Sequence, residues 1–298
     1  MTSKSGLRAR TRALIGNEIV RATVGALVTM GATTGSGLLA YAAGVEPKWV
    51  EIKRISLRLG GLPAAFHGYK IVQISDIHAG EWFPPERIAE TVKMVNDEHP
   101  DLVVITGDFV TYTYPHAPAD IVPSLSELYA RDGVIGTLGN HDYWGLGPAL
   151  IRQVMREAAI IELSNNVHTI ERDGAVLHIA GVDSAREKMA RLEVTLKKLP
   201  KEGTAILLAH EPDYADVAAH ANRFSLQLSG HSHGGQVVVP LYGPPRLPPL
   251  GKKYYAGLYQ VGHMQVYTNR GIGVVGIPVR FFCRPEITVI SLEGQDES

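Results

Sequence analysis

The chain has 298 residues, of which 45% are apolar, and this is enough to bury the core of one large α/β domain. Its 29 Lys and Arg residues nearly balance its 30 Asp and Glu residues. The basic excess typical of nucleic-acid binding is therefore missing, and no nucleic-acid partner is expected. Cys283 is the only cysteine, which excludes an internal disulfide.

The first 46 residues differ in composition from the rest. Residues 1–21 are polar and basic, whereas residues 22–45 carry no charge and are numerous enough to cross a bilayer. Three interpretations compete: an uncleaved signal anchor, a signal peptide with Ala40-Tyr41-Ala42 as its cleavage site, and an amphipathic or flexible leader. The two membrane-directed interpretations are favoured. They predict a membrane-associated protein with an extracytoplasmic catalytic domain at residues 47–298, and a peripheral cytoplasmic location is the alternative.

From residue 50 the pattern predicts strands that alternate with helices. Residues 50–59 alternate apolar and polar side chains, as a strand with one buried face does. Apolar strands are predicted at residues 70–75, 103–105 and 134–138. Helices are predicted between Pro84 and Pro100 and at residues 121–129 and 147–158.

The second half of the chain is richer in strands. Asp173-Gly174 predicts a hairpin between strands at residues 167–170 and 176–181. A helix is predicted at residues 190–199, and strands are predicted at residues 204–209, 225–228, 236–239, 265–268 and 287–292. Residues 240–249 contain five prolines and should lack regular structure. This order of elements predicts two packed sheets with helices outside.

Five apolar stretches end in Asp, Asn or His. They deliver Asp76 and His78, Asp108, Asn140 with His141 and Asp142, His210, and His231 with His233. Because ligands bind at the carboxyl ends of strands in open α/β sheets, these side chains are expected at one edge. Carboxylate, carboxamide and imidazole groups together suit manganese, iron or zinc, and the absence of cysteine from the set argues against a structural zinc cluster.

Taken together, the five motifs resemble the full series of the calcineurin-like metallophosphoesterases, in family order across roughly residues 69–292. The glycine-rich sequence at residues 230–236, with residues 268–271 and 278–281, is similar to the bacterial branch of membrane-associated phosphodiesterases. The resemblance implies an α/β fold, a four-layer αββα sandwich of two mixed sheets.

The resemblance also implies a site for two divalent ions (Mn, Fe or Zn), bridged by Asp108. One ion would be held by Asp76, His78 and His233, and the other by Asn140, His210 and His231. The ions would generate hydroxide from a bridging water for in-line attack on phosphorus. His141 would stabilise the transition state and protonate the leaving alkoxide, and Asp142 would orient the His141 ring.

Two further features have alternative interpretations. Arg270 either contacts a substrate phosphate or forms an ordinary ion pair. Residues 240–259 combine prolines with Lys and Tyr. This segment either contacts lipid head groups or, as the favoured interpretation, forms a proline-stiffened surface loop.

The residues after Asp108 narrow the substrate class. Protein Ser/Thr phosphatases of this family continue with Val-Asp-Arg-Gly, whereas this chain continues with Phe109-Val110-Thr111-Tyr112. We therefore expect hydrolysis of a phosphodiester or pyrophosphate in a lipid-like or nucleotide-type substrate. A phosphomonoesterase and a non-catalytic, metal-stabilised membrane scaffold are the alternatives. The expected partners are the phosphoester and a membrane surface, with no obligate protein partner.

Overall fold

A computed structural model describes residues 36–294, and the chain divides into two units between Val45 and Glu46. In the first unit, helix α1 is described over residues 36–44. Within residues 36–294, no helix combines the length and apolar character that crossing a bilayer requires. The predicted membrane location with an extracytoplasmic domain is therefore corrected. Most of the uncharged segment and its basic flank, residues 1–35, lie outside the described residues.

The second unit contains two six-stranded sheets. Sheet one consists of β1 (Glu51–Leu59), β2 (Lys70–Ile74), β3 (Leu102–Thr106), β4 (Val134–Thr137), β5 (Ile160–Glu162) and β12 (Glu286–Gly294). Its order is β1-β12-β2-β3-β4-β5, so the last strand lies between the first two. β12 pairs parallel with β1 and antiparallel with β2, and the remaining pairs are parallel.

Sheet two is also mixed. It consists of β6 (Asn166–Arg172), β7 (Ala175–Gly181), β8 (Thr204–Leu208), β9 (Leu226–Ser229), β10 (Gly257–Val261) and β11 (Met264–Thr268). Its order is β10-β11-β9-β8-β7-β6. The predicted hairpin is confirmed, since β6 and β7 pair antiparallel around Asp173-Gly174. The outer pair, β10 and β11, is antiparallel as well.

The two sheets pack face to face, with helices on both outer surfaces. Leu102 and Val104 of β3 point into the core between the sheets, where they join Ile206 and Leu208 of β8. Val103 and Ile105 point the other way, because side chains alternate along a strand, and they pack under helices. These helices are α2 (Pro85–Asp97), α3 (Ala117–Leu125) and α4 (Ala149–Glu157).

Two shorter helices, α5 (Leu192–Lys198) and α6 (Ala215–Ala219), cover the far face of sheet two. The four layers confirm the predicted αββα sandwich. The predicted strand at residues 236–239 is wrong. A short 3-10 helix at His233–Gly235 precedes these residues, and Val237 forms only an isolated bridge to Phe281.

Candidate metal centre

The predicted site residues follow strands of both sheets. Asp76 and His78 follow β2, Asp108 follows β3, Asn140 follows β4, His210 follows β8, and His231 and His233 follow β9. Gln73 of β2 ties the two sheets together here, since its Nε2 donates to Thr106 Oγ1 at 3.0 Å and to the Ser229 carbonyl at 2.9 Å. All seven side chains predicted as ligands are buried. Six of them cluster, and Asn140 lines the same cavity as Asp108, His231 and His233.

The first group of potential ligands consists of Asp76, His78 and His233, whose ligand atoms lie within 4.8 Å of one another. The Nε2 atoms of His78 and His233 face each other at 3.0 Å, and Asp76 Oδ1 lies 3.3 Å from His233 Nε2. Three donor atoms that converge in this way form one side of a cation site.

The second group consists of Asp108, His210 and His231. His210 Nε2 lies 3.2 Å from His231 Nδ1 and 3.2 Å from Asp108 Oδ2. The same Oδ2 atom lies 3.6 Å from His78 Nε2. Asp108 therefore stands between the two groups, at the position that a bridging carboxylate needs.

Backbone carbonyls fix which ring nitrogens of the second group are free. His210 Nδ1–H donates to the Thr106 carbonyl at 2.6 Å, so Nε2 is the nitrogen of this ring that remains for a metal. His231 Nε2–H donates to the Pro249 carbonyl at 2.8 Å, so the lone pair of this ring is on Nδ1. These are the two nitrogens that face each other. Burial alone would lower the pKa of His210, but the Asp108 carboxylate raises it well above its usual value, so a proton occupies Nε2 in the absence of a metal. A cation shared by the two rings would displace this proton and take its place between them.

The charge state of His78 and His231 also suits a metal. Burial lowers the pKa of His78 to about 3 and the pKa of His231 to about 4, so both rings are neutral near pH 7. Asn140 is buried, and neither its side-chain oxygen nor its nitrogen has a hydrogen-bond partner in the part of the chain that is described. A buried amide without partners is costly, and coordination through its oxygen would offset that cost.

The backbone at the site is held in an unusual conformation. Asp76, His78, Asp108, His231 and His233 all have positive φ, between 49° and 68°. This conformation costs a side-chain-bearing residue on the order of 1 kcal/mol or more. Five such residues after three strands, β2, β3 and β9, indicate that side-chain direction is maintained here at the expense of stability.

Two glycines, whose role was not predicted from the sequence, make the close approach of these loops feasible. A Cβ on Gly139 would overlap the carboxylate of Asp108, and a Cβ on Gly230 would overlap Ser75 Oγ and a carboxylate oxygen of Asp76. Each glycine directly precedes a predicted ligand. That adjacency is the signal by which the sequence could have revealed them.

His141 lies at the edge of the metal centre, with its ligand atom within 4.8 Å of those of His78 and Asp108. Its Nδ1–H donates to the Thr111 carbonyl at 2.9 Å, which leaves Nε2 free. Its ring packs on Trp144, with 3.9 Å between ring centroids. Neither Thr111 nor Trp144 was identified as a site residue from the sequence.

Asp142 does not hold the His141 ring, and this prediction is corrected. Its carboxylate accepts hydrogen bonds from the backbone N–H groups of Asp108, Phe109 and Gly139 at 2.8–3.0 Å, and a longer one from Val110. Asp142 thus fixes the loops after β3 and β4 to each other. The His141 ring takes its orientation from Thr111 instead.

Arg270 forms ion pairs with two glutamates, which agrees with the second of its two interpretations. Its guanidinium contacts Glu286 through Nε and binds Glu51 through Nη2 at 2.8 Å. It does not line the cavity described next.

The metal centre opens into a cavity of about 1130 Å³. Asp108, Asn140, His141, His231 and His233 form part of its wall. Further lining residues come from residues 79–88, 111–120, 246–252 and 274–276. The cavity is large enough for an organic phosphate, and four of the seven predicted ligands line it.

Comparison with known proteins finds one family. The family model described as calcineurin-like phosphoesterase matches residues 69–235. An uncharacterised metallophosphoesterase of Bacillus subtilis, YkuE, is 38% identical over 93% of this chain and 97% of that protein. The phosphodiesterase YaeI of Escherichia coli is 30% identical over 89% of this chain and 95% of that protein. A Danio rerio transmembrane protein with a metallophosphoesterase domain is 33% identical over 92% of this chain and 63% of its own length.

Proposed function

The chain belongs to the calcineurin-like metallophosphoesterases, and from this premise we propose that its metal centre hydrolyses a phosphodiester or a pyrophosphate. It is a phosphoric ester hydrolase by family, and its clustered His and Asp side chains suit divalent metals. The observation that carries the proposal is the position of Asp108 Oδ2 between two groups of buried ligands.

The seven ligands fit a pair of ions. Asp76, His78 and His233 would hold one ion, Asn140, His210 and His231 would hold the other, and Asp108 would contact both. When bound, two divalent ions activate water as a nucleophile and neutralise charge on the phosphoryl oxygens.

His141 is proposed as the catalytic acid. Because its Nδ1–H is committed to the Thr111 carbonyl, only Nε2 can exchange a proton with substrate. His141 lines the cavity together with Asp108 and Asn140, which supports a role for this nitrogen in protonating a leaving alkoxide. A diester has such a leaving group on either side of phosphorus. YaeI, which is similar to 89% of this chain, is named a phosphodiesterase.

The test is hydrolysis of bis-p-nitrophenyl phosphate by the full chain with Mn²⁺, measured against p-nitrophenyl phosphate. We expect the diester to be preferred. His141→Ala should lower kcat by roughly 10²–10⁴-fold for dithymidine monophosphate, whose alkoxide leaving group needs a proton. The loss should be much smaller for bis-p-nitrophenyl phosphate, because p-nitrophenolate leaves without protonation. His168→Ala in β6 is the matched control, and its activity should be unchanged. Preference for the monoester would establish a phosphomonoesterase instead. Metal binding without turnover of either ester would contradict the proposal.

The catalytic unit is proposed to be residues 47–298. Within the described residues, both sheets and every predicted site residue lie in this range. A fragment of residues 47–298 should therefore hydrolyse the same diester at a rate similar to that of the full chain. Loss of activity in a fragment that still melts cooperatively would show that residues 1–46 contribute to the reaction.

A further inference from the structure

One wall of the cavity is a surface of aromatic rings beside the metal centre. Tyr112 and Trp144 pack with 5.8 Å between centroids, and Trp144 packs in turn on the proposed acid His141. Both residues line the cavity, and Tyr112 is 58% exposed. An exposed ring held in place by a second ring is a stacking platform for a planar group of a ligand.

Three cations line the same cavity without a carboxylate partner. Among residues 36–294, the side chains of Arg186, Arg246 and Lys252 form no ion pair. By contrast, Lys253 forms an ion pair with Asp216 at 2.7 Å, and Arg270 forms ion pairs with two glutamates. Unpaired cations that face a cavity offer a site to an anion of the ligand.

One of these cations packs on the ring surface, and the other two belong to a segment that contacts the second ligand group. The Arg186 guanidinium lies 5.8 Å from the centre of the Trp144 ring. Arg246 and Lys252 lie three residues before and three residues after Pro249 in sequence, and the Pro249 carbonyl binds the His231 ring. The acidic residues of the lining other than the ligand Asp108 are Glu81 and Asp120, and Asp120 accepts a hydrogen bond from the hydroxyl of Tyr114 at 3.1 Å.

We propose that the substrate is a pyrophosphate diester that carries a nucleoside, an inference that rests on the proposed function. Its base stacks on Tyr112 and Trp144. One phosphate lies at the metal centre, and the second is bound by Arg186, Arg246 and Lys252. A single-phosphate diester would leave these three cations without a partner, whereas a pyrophosphate supplies a second charge one bridging oxygen away.

Hydrolysis of this substrate is a simple balanced step. The oxygen of water bonds to one phosphorus, and the bond from that phosphorus to the bridging oxygen breaks. The electron pair of the broken bond remains on the second phosphate. Two phosphate monoesters result, and the protons of water pass to these products or to solvent.

The test compares two substrates with the same bases, dithymidine monophosphate and dithymidine pyrophosphate, with the full chain and Mn²⁺. We expect kcat/KM to be at least about tenfold higher for the pyrophosphate, since one charge-assisted contact corresponds to roughly this factor. Arg246→Gln and Lys252→Gln should each reduce this ratio several-fold. Lys253→Gln, one residue along and paired with Asp216, is the control and should leave the ratio unchanged.

The ring surface is tested with the pyrophosphate alone. Tyr112→Ala should raise KM about tenfold or more, as expected for the loss of a base-stacking ring, whereas Tyr112→Phe should retain the wild-type KM. Equal turnover of the two dithymidine substrates, with bis-p-nitrophenyl phosphate still hydrolysed, would overturn this inference and leave the proposed function intact. Failure to hydrolyse any of the three esters would instead overturn the proposed function.

Discussion

At the scale of single residues, Asp142 shows how one buried carboxylate can organise a site without touching the reacting groups. It accepts hydrogen bonds from N–H groups of the loop that carries Asp108 and of the loop that carries Asn140. A backbone N–H that loses its acceptor in a buried region costs about 1–3 kcal/mol. The positions of two predicted ligands therefore depend on this third residue.

Asp142→Asn tests that dependence. The amide oxygen can accept some of these bonds, but the amide NH₂ group would face backbone N–H donors. We expect the free energy of unfolding to fall by about 1–3 kcal/mol and kcat/KM to fall at least about tenfold. Urea denaturation and diester hydrolysis measure the two effects. Asp173→Asn in the exposed turn between β6 and β7 is the control, and it should change neither quantity.

Gly139→Ala tests the close approach of the same two loops. The added methyl group would occupy space that the Asp108 carboxylate fills, so Asp108 must move. We expect Mn²⁺ affinity, measured by isothermal titration calorimetry, to fall at least about tenfold, as occurs when groups that orient metal ligands are lost. Unchanged affinity in the folded variant would show that Asp108 does not bind metal from its observed position.

At the scale of elements, a group of charged side chains joins the two sheets at the end opposite the metal centre. Arg172, the last residue of β6, binds Asp101 and Asp132 at 3.0 Å each, and these residues precede β3 and β4 of the other sheet. Tyr69 completes the group. Its hydroxyl donates to Asp132 at 2.8 Å, and its ring lies 4.8 Å from the guanidinium.

Arg172→Met should therefore destabilise the pairing of the sheets. The side chain is 16% exposed, and its removal leaves two carboxylates without their cation, so we expect a loss on the order of 2 kcal/mol in unfolding free energy. Arg58→Met removes an ion pair with Glu293 in which the Arg58 side chain is 73% exposed. The free energy of unfolding should fall by only a few tenths of a kcal/mol. Equal effects in urea denaturation would show that the group at Arg172 contributes no more than a surface pair.

The sequence predicted those elements whose local pattern is strong. Apolar strands that end in a polar residue, such as β3 before Asp108, lie where the pattern places them. β5 was missed because three residues are too few to show a period, and β10 because its side chains are only half buried. Residues 236–239 were assigned wrongly because Gln236 has φ 57° and its amide binds Val275 and Ile277, contacts that no local pattern contains.

The proposed metal ligands could be predicted as a set because they match the motifs of the family. Each of them also follows a strand, and strand ends of one fold converge. Their supports could not be predicted in this way. The Thr106, Thr111 and Pro249 groups that orient His rings act through backbone carbonyls, which every residue has. The role of Asp142 was also misassigned, since adjacency to His141 in sequence suggested a contact that the short 3-10 turn at His141–Tyr143 does not make.

At the scale of the whole molecule, the metal centre joins the two sheets, because its predicted ligands follow strands of both. A metal that binds only the folded state stabilises it by about 2.7 kcal/mol at a concentration 100 times its Kd. For a domain of this size, that corresponds to a rise in Tm of roughly 5–10 °C.

We therefore expect EDTA to lower Tm by several degrees and excess Mn²⁺ to restore it, as measured by differential scanning calorimetry. His78→Ala should abolish most of the metal-dependent rise, whereas His168→Ala should preserve it. A Tm that does not respond to Mn²⁺ in the unaltered chain would count against a metal site that spans the sheets.

The position of β12 has a consequence for synthesis on the ribosome. β12 is the last strand of residues 36–294 to be made, yet it pairs with β1 on one side and β2 on the other. Until residues 286–294 have left the exit tunnel, β1 has no neighbour in its sheet and β2 exposes an unpaired edge. The nascent chain therefore carries two open strand edges until then, and the sheet that presents Asp76 and Asp108 closes only when β12 has emerged.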